Sequence, residues 1–261
     1  MNHPNVVYIF GAAEIDGTSV ISMELVSGGT LKDRVQQQGP MQPADAVDAI
    51  LQVIAGLEAA ATVGILHRDV KPSNCFIDPR NHVKIGDFGL SISTLRRADS
   101  TLTEAGTFLG TPAFAAPEQL RGEALDVRSD IYAVGATLFY LLTGRAPIEE
   151  TDLVRLVARI GTEHPPSPKA LQPTVPQGLG AVVLRCLAKD PAKRYATYAG
   201  LAEELRPFSS SALAPAPLPL RAVAFMLDSP FFLFAFIGHG RNLATPLEDR
   251  FFSRCPIRSD C

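Results

Sequence analysis

The stretch "GILHRDVKPSNCFID", residues 64 to 78, packs a histidine, an arginine, two aspartates, a lysine and an asparagine into one short segment. Apolar segments flank it on both sides, so it is not a solvated run of charges. Lys71 follows Asp69 by two residues, and Asn74 follows it by five. A proposed function must explain why a carboxylate, an ammonium group and a carboxamide occur at this spacing.

Strand and helix patterns surround this stretch. β-Branched residues on either side of Asp16-Gly17 predict a hairpin, and a second short hairpin is predicted around a turn at 79–81. Apolar residues at helical spacing predict a helix from Pro43 to Gly64. Residues 131–142, "IYAVGATLFYLL", are apolar on every side and predict a buried helix. Further helices are predicted near 150–160, 178–188 and 197–206.

Composition excludes several classes of function. The 261 residues carry a net charge of −3, which argues against a nucleic-acid partner because such proteins need a clustered basic surface. The four cysteines are scattered in neither a disulfide framework nor zinc-ligand spacing, which favours a reducing compartment. The first ten residues lack the features of a signal peptide. These observations predict a cytoplasmic location.

Several motifs follow one another in the order seen in eukaryotic-type protein kinases. Residues 67–74 resemble the catalytic loop of that family, and Asp87-Phe88-Gly89 resembles its metal-binding triplet. "GTPAFAAPEQ", residues 110–119, resembles the end of the activation segment. The resemblance extends from residue 3 to about residue 207 and is strongest to the bacterial Ser/Thr kinases. It implies an α+β, kinase-like fold, mostly the helical large lobe with a remnant β-hairpin of the small lobe.

The resemblance implies transfer of the γ-phosphate of ATP to Ser or Thr hydroxyls of a protein substrate. Asp69 would accept or orient the proton of the attacking hydroxyl, and Lys71 would place positive charge near the transferring phosphate. Asn74 and Asp87 would offer oxygen ligands to Mg²⁺. The residues implied at the nucleotide are Met23 as gatekeeper, Glu24 and Val26 through backbone contacts to adenine, and Phe76 beneath the ring.

The same resemblance implies structural and regulatory residues. Glu118 and Arg194 would form an ion pair, and Asp130 would begin the buried central helix. His67 and Phe88 would have structural roles. Arg68 would meet a phosphate added to the activation segment by autophosphorylation. The candidate acceptors are Thr101, Thr103 and Thr107, whereas Thr111 would contact Asp69 and Lys71.

The resemblance fails at the front of the chain. The Gly-rich phosphate loop and the strand lysine held by a helix glutamate have no counterpart in the sequence. We favour the interpretation that the chain is a fragment or starts too late. The alternatives are a catalytically silent binding or scaffold module, or completion by a separate chain. We expect weak or absent ATP turnover from residues 1–261 as written.

The last part of the chain divides into two segments after the predicted kinase domain of residues 1–207. Residues 208–220 are rich in Ser, Ala and Pro and predict a linker. Residues 221–238 are apolar but contain Asp228, and their start resembles the small membrane domain named for one Arg and two Asp residues. This resemblance implies attachment to the inner face of the membrane through 221–238. A disordered tail with an apolar patch is the alternative interpretation of 221–261.

Overall fold

The computed structural model describes residues 2–15, 18–88 and 112–213. Within these ranges two small antiparallel sheets accompany a larger set of helices, which is the predicted α+β class. The strands are β1 (Ile9–Ile15), β2 (Thr18–Met23), β3 (Cys75–Ile77) and β4 (Val83–Ile85). The helices are α1 (Leu31–Gln38), α2 (Pro43–Ala61), α3 (Pro117–Leu120), α4 (Val127–Thr143), α5 (Leu153–Thr162), α6 (Pro168–Leu171), α7 (Gln177–Cys186), α8 (Tyr198–Leu205) and α9 (Ser210–Leu213).

Both predicted hairpins are present. In the first, β1 and β2 pair from Ile9 opposite Met23 to Ile15 opposite Thr18. In the second, β3 and β4 are joined by a turn in which the Asp78 carboxylate accepts the N–H groups of Arg80 and His82, each at 2.8 Å. An aspartate that bonds the backbone two residues ahead favours a tight turn, so this short hairpin closes without a glycine.

Helix α4 lies at the centre of the hydrophobic core. Its first turn is capped by the Asp126 side chain, which accepts the Arg128 N–H, and its last turn ends at Gly144 in the left-handed conformation. The side chains of Ile131, Phe139 and Leu142 are fully buried. This is the predicted buried helix, extended by four residues at its start because Asp126 supplies the cap. None of the helices in the described ranges is long and apolar enough to span a bilayer.

Helix α2 packs against the core through one face. Val47, Ile50, Ile54 and Leu57 on that face are buried, in agreement with the helical spacing in the sequence. The helix ends at Ala61, three residues before the predicted end, because a turn at 62–64 follows and places Gly64 at a φ of 76°. Residues from Ile65 onward then lead directly into the polar stretch at 67–74.

The start of the predicted linker is folded onto α2. Ser210 begins the short helix α9, and its backbone N–H donates to the Asp48 carboxylate on α2 at 3.2 Å. The Ser209 hydroxyl accepts the Ala212 N–H at 3.4 Å, so serines that suggested a flexible linker instead cap a helical turn. Residues 214–261, with the apolar segment 221–238, lie outside the described residues.

Candidate functional site

Asp69, Lys71 and Asn74 form one hydrogen-bonded cluster in the loop after α2. Lys71 Nζ donates to Asp69 Oδ2 at 2.7 Å. The Asn74 amide nitrogen donates to the same carboxylate oxygen at 3.1 Å and to the Asp69 carbonyl at 2.9 Å. The Asp69 and Lys71 side chains keep about a quarter and a fifth of their surface exposed. The cluster therefore presents a carboxylate and a cation to solvent, and the buried Asn74 amide holds the carboxylate from beneath.

The backbone that precedes Asp87 is joined to this cluster through Gly86. The Gly86 N–H donates to the Asn74 carbonyl at 3.0 Å, which ties the end of β4 to the loop of residues 67–74. A Cβ on Gly86 would lie 2.9 Å from both Phe76 and Val7, so only glycine allows this approach. Asp87 has a φ of 62°, a conformation that is uncommon for residues other than glycine. Strain of this kind is concentrated at functional sites.

His67 connects the loop to the segment that carries Asp87. Its ring Nδ1 accepts the Asp69 N–H at 3.2 Å, so the proton is on Nε2, which donates to the Gly86 carbonyl at 2.8 Å. Its ring also contacts the Phe88 ring at a centroid distance of 4.5 Å. Burial lowers the pKa of His67 and outweighs the effect of the nearby carboxylates. His67 is thus a neutral side chain that fixes the distance between the two halves of the site.

Asp130 in the first turn of α4 holds the backbone of the same loop. Its carboxylate accepts the N–H of His67 at 2.9 Å and the N–H of Arg68 at 2.8 Å. It also accepts the hydroxyl of Tyr198, on α8, at 2.8 Å. These three donors satisfy a carboxylate that is 1% exposed and hold Arg68 at a φ of 66°.

Glu118 and Arg194 form a buried ion pair below the site. The guanidinium donates two parallel bonds to the carboxylate, at 2.6 and 2.8 Å, and Ser129 Oγ donates a third at 2.8 Å. Arg194 also donates to the backbone carbonyls of Ala188 and Arg128. Burial alone would raise the pKa of Glu118, but the bonds from Arg194 and Ser129 outweigh it and hold the pKa below its usual value. Both charges are therefore fully compensated.

Lys189 lies beside this pair without such compensation. Its Nζ is buried, has no hydrogen-bond partner among the described residues, and lies 5.8 Å from the centroid of the Tyr132 ring. Burial and the charge of Arg194 lower its pKa to about 8, and Glu163 opposes that shift. The folded protein thus holds the proton of Lys189 less tightly than an unfolded chain would.

This difference predicts that stability rises with pH. Between the folded pKa of about 8 and the ordinary lysine value of 10.5, the unfolded chain binds more protons than the folded chain. The free energy of unfolding therefore rises with pH in this range. Lys189→Met should stabilise the protein by on the order of 1 kcal/mol at neutral pH and remove this pH dependence. Urea unfolding at about pH 7 and about pH 9.5 measures both effects.

Lys193→Met is the matched control, since Lys193 is exposed four residues away. The control should change neither the stability nor its pH dependence. If the parent and Lys189→Met showed the same change in unfolding free energy between the two pH values, the assignment to Lys189 would be wrong.

A cleft separates the first hairpin from the segment that contains Asp87. It is lined by Val7, Ile9, Ile21, Met23, Gly86, Asp87 and Phe88. The predicted gatekeeper Met23 ends β2, with 38% of its surface exposed. Glu24 follows, and its N–H donates to the Tyr8 carbonyl at 2.9 Å. Phe76 lies on β3 opposite Lys84 in the second hairpin, and Val26 is half-buried.

The predicted regulatory residues divide between described and undescribed parts of the chain. Arg68 is within the loop of residues 67–74, and its Nε is buried without a hydrogen-bond partner among the described residues. The Arg68 carbonyl accepts a bond of 2.7 Å from Gln119 on α3, at the end of the activation segment. Thr101, Thr103, Thr107 and Thr111 lie outside the described residues.

Three residues of the site have no prediction in the sequence analysis. Tyr198 bonds Asp130, Lys84 bonds Glu24 at 2.7 and 2.8 Å, and Lys189 lies beside Arg194. Tyr198 and Lys84 are 68 and 60 positions from their partners, and no local spacing indicates such contacts. Lys84 alternates with the buried residues Val83 and Ile85, which is the only available signal that its side chain points out of the core.

Comparison with known proteins places this arrangement in a family. Residues 1–205 match the family model described as the protein kinase domain. The chain is 37% identical over 197 residues to serine/threonine-protein kinase PrkC of Bacillus subtilis, covering 76% of this chain and 30% of PrkC. It is 36% identical over 209 residues to serine/threonine-protein kinase PknB of Mycobacterium tuberculosis, covering 78% and 33%.

A solved structure gives the same result. The crystal structure of Rad53 residues 1–466 with AMP-PNP aligns with a TM-score of 0.66 and 29% identity, over 78% of this chain and 51% of that chain. The chain spans about a third of the length of the curated relatives it matches. The family model nevertheless covers residues 1–205, which is most of this chain. The chain belongs to the protein kinase domain family.

Proposed function

We propose that this chain transfers the γ-phosphate of ATP to Ser or Thr hydroxyls of a protein substrate. The observation that carries the proposal is the cluster in which Lys71 and Asn74 both donate to the Asp69 carboxylate, with Asp87 tied to Asn74 through Gly86. Phosphoryl transfer requires mainly positioning and neutralisation of charge, and these residues provide both. The curated relatives PrkC and PknB are serine/threonine-protein kinases, which supports the same choice of acceptor.

In this mechanism the Asp69 carboxylate orients the substrate hydroxyl and takes its proton. Lys71, 2.7 Å from Asp69, places its ammonium group where the transferring phosphate gains charge. Because Lys71 and Asn74 both donate to Asp69 Oδ2, the carboxylate keeps a fixed orientation. Fixed donors and acceptors need no reorganisation during the reaction, which lowers its barrier.

The donor atoms present fit a magnesium ion. The two bonds from the Asn74 amide nitrogen orient its carboxamide. Its Oδ1 accepts the Ser73 hydroxyl at 3.5 Å and has a second lone pair for a metal ion, and Asp87 supplies a carboxylate. Mg²⁺ prefers oxygen ligands and keeps several of its waters, so two protein ligands are sufficient. When bound, the ion neutralises charge on the phosphate oxygens.

Adenine would lie between the first hairpin and Phe76. Among the described residues, neither the Glu24 carbonyl nor the Val26 N–H takes part in a backbone hydrogen bond. One acceptor and one donor are therefore available for the polar edge of the base. Rad53, which has a similar fold, was solved with AMP-PNP.

Arg68, with its buried Nε, would bind a phosphate on Thr101, Thr103 or Thr107.

Incubation with γ-labelled ATP, Mg²⁺ and casein tests this function. We expect label in phosphoserine and phosphothreonine at a low rate, because the Gly-rich loop and the strand lysine have no counterpart in residues 1–261, and no label when EDTA removes the metal. The chain itself should also become labelled if it phosphorylates its own threonines. A preparation that binds Mg²⁺-ATP but transfers no label to any hydroxyl would contradict the proposal and favour a binding module.

A further inference from the structure

The Glu24 carboxylate joins two separate parts of the structure. Its Oε1 accepts the Tyr8 N–H at 2.7 Å and the Lys84 ammonium at 2.7 Å, and its Oε2 accepts Lys84 at 2.8 Å. The exposed fractions of the two side chains are 26% for Glu24 and 19% for Lys84. Such a bidentate, half-buried pair is held more firmly than an ion pair on the open surface.

The charges around the pair favour the ionised form of Glu24. Partial burial raises its pKa and the carboxylate of Asp78 acts in the same direction, but the bonds from Lys84 and Tyr8 outweigh both. The pKa of Glu24 is therefore lowered, and the ion pair persists at neutral pH. A persistent ion pair can hold the backbone after β2 at a fixed position relative to β4.

The two partners belong to elements that would contact opposite parts of an adenine ring. Lys84 lies on β4 directly opposite Phe76, the residue proposed to pack under the ring. Glu24 follows β2, and its carbonyl is the acceptor proposed for the polar edge of the base. The two hairpins are also joined through the Val7 N–H, which donates to the Ile85 carbonyl at 2.9 Å. The ion pair crosses the same junction one residue away, because Glu24 bonds Tyr8, which follows Val7, and Lys84, which precedes Ile85.

We propose that Lys84 is a positioning residue, which holds the Glu24 backbone at a fixed distance from Phe76 and so fixes the width of the adenine slot. The inference rests on the proposed function, because it assumes that a nucleotide occupies this slot. Lys84 itself does not contact the reacting atoms, and its effect is on nucleotide affinity rather than on the chemical step.

The test compares Lys84→Met with Lys84→Arg in the full chain. We expect Lys84→Met to weaken Mg²⁺-ATP binding about fivefold and to raise the KM for ATP by the same factor, with kcat unchanged. Lys84→Arg should stay within about twofold of the parent, because a guanidinium can also bond both carboxylate oxygens. Amide hydrogen exchange of residues 24–26 should become faster in Lys84→Met and not in Lys84→Arg.

Two further variants separate a positioning role from general damage. Lys32→Met removes an exposed lysine from α1 and should leave binding and exchange unchanged. Glu24→Gln keeps an acceptor for the Tyr8 N–H but loses the charge, and combining it with Lys84→Met should be no worse than Lys84→Met alone.

Unchanged or tighter nucleotide binding in Lys84→Met, with unchanged exchange at residues 24–26, would overturn the inference. If the parent chain bound no nucleotide, the proposed function would fail instead. The exchange measurement would then decide alone whether Lys84 fixes the Glu24 backbone.

Discussion

Asp69→Asn is expected to lower the rate of phosphoryl transfer at least about 100-fold, which is the usual lower range for loss of a general base. The substitution preserves the size of the side chain but removes the negative charge that faces Lys71 at 2.7 Å. Its amide nitrogen cannot take a proton from the attacking hydroxyl. Because the proposed role of Asp69 is at the acceptor hydroxyl and not at adenine, kcat should fall while the KM for ATP stays close to the parent value.

Labelling with γ-labelled ATP at saturating nucleotide measures this effect. Asp45→Asn is the matched control, because Asp45 is an exposed aspartate on α2. Thermal unfolding should show that both variants are folded. If Asp69→Asn transferred phosphate at the parent rate, the assignment of Asp69 as the base would be wrong.

Arg194→Met is expected to destabilise the protein by about 3–5 kcal/mol, the usual effect of removing one partner from a buried ion pair. The variant leaves Glu118, which is 3% exposed, with Ser129 as its one remaining side-chain donor among the described residues. The carbonyls of Ala188 and Arg128 lose a donor as well. Urea unfolding measures the loss directly.

The double variant Glu118→Leu/Arg194→Met should recover much of this stability, because it removes the uncompensated charge together with its partner. Arg155→Met provides the control, since Arg155 is exposed on α5 and its replacement should cost less than about 0.5 kcal/mol. Equal losses in Arg194→Met and Arg155→Met would contradict the role assigned to the buried pair.

Elements with strong local signals could be predicted from the sequence. The alternating strands around residues 16 and 17, the apolar spacing of α2 and the apolar run of α4 each identify an element within a few residues. Helix α1 was not predicted, because only Leu31 and Val35 of its eight residues are buried and the apolar stripe is too sparse. The available signal was its capping box, in which Thr30 and Asp33 bond each other.

The candidate site also has a part that the sequence predicts and a part that only the folded chain defines. Asp69, Lys71 and Asn74 lie within six residues of one another, so their side chains can meet through local contacts. The left-handed backbone at Arg68 and Asp87 could not be predicted, because neither is a glycine. At Arg68 the backbone N–H is held by Asp130, 62 positions away. The Lys84–Glu24 pair depends on the packing of two hairpins, and only the folded chain defines that contact.

The bond between Tyr198 and Asp130 bears on how the effects of mutations on this domain should be interpreted. A tyrosine in one of the last helices of the domain shares a carboxylate with the backbone that orients the catalytic loop. Tyr198 lies 68 positions from Asp130 in the sequence. In a mutational scan that measures kinase activity, we therefore expect substitutions of Tyr198 to lower activity as much as substitutions of residues at the proposed ATP site. Such a scan would identify residues that support the loop as well as residues that contact the nucleotide.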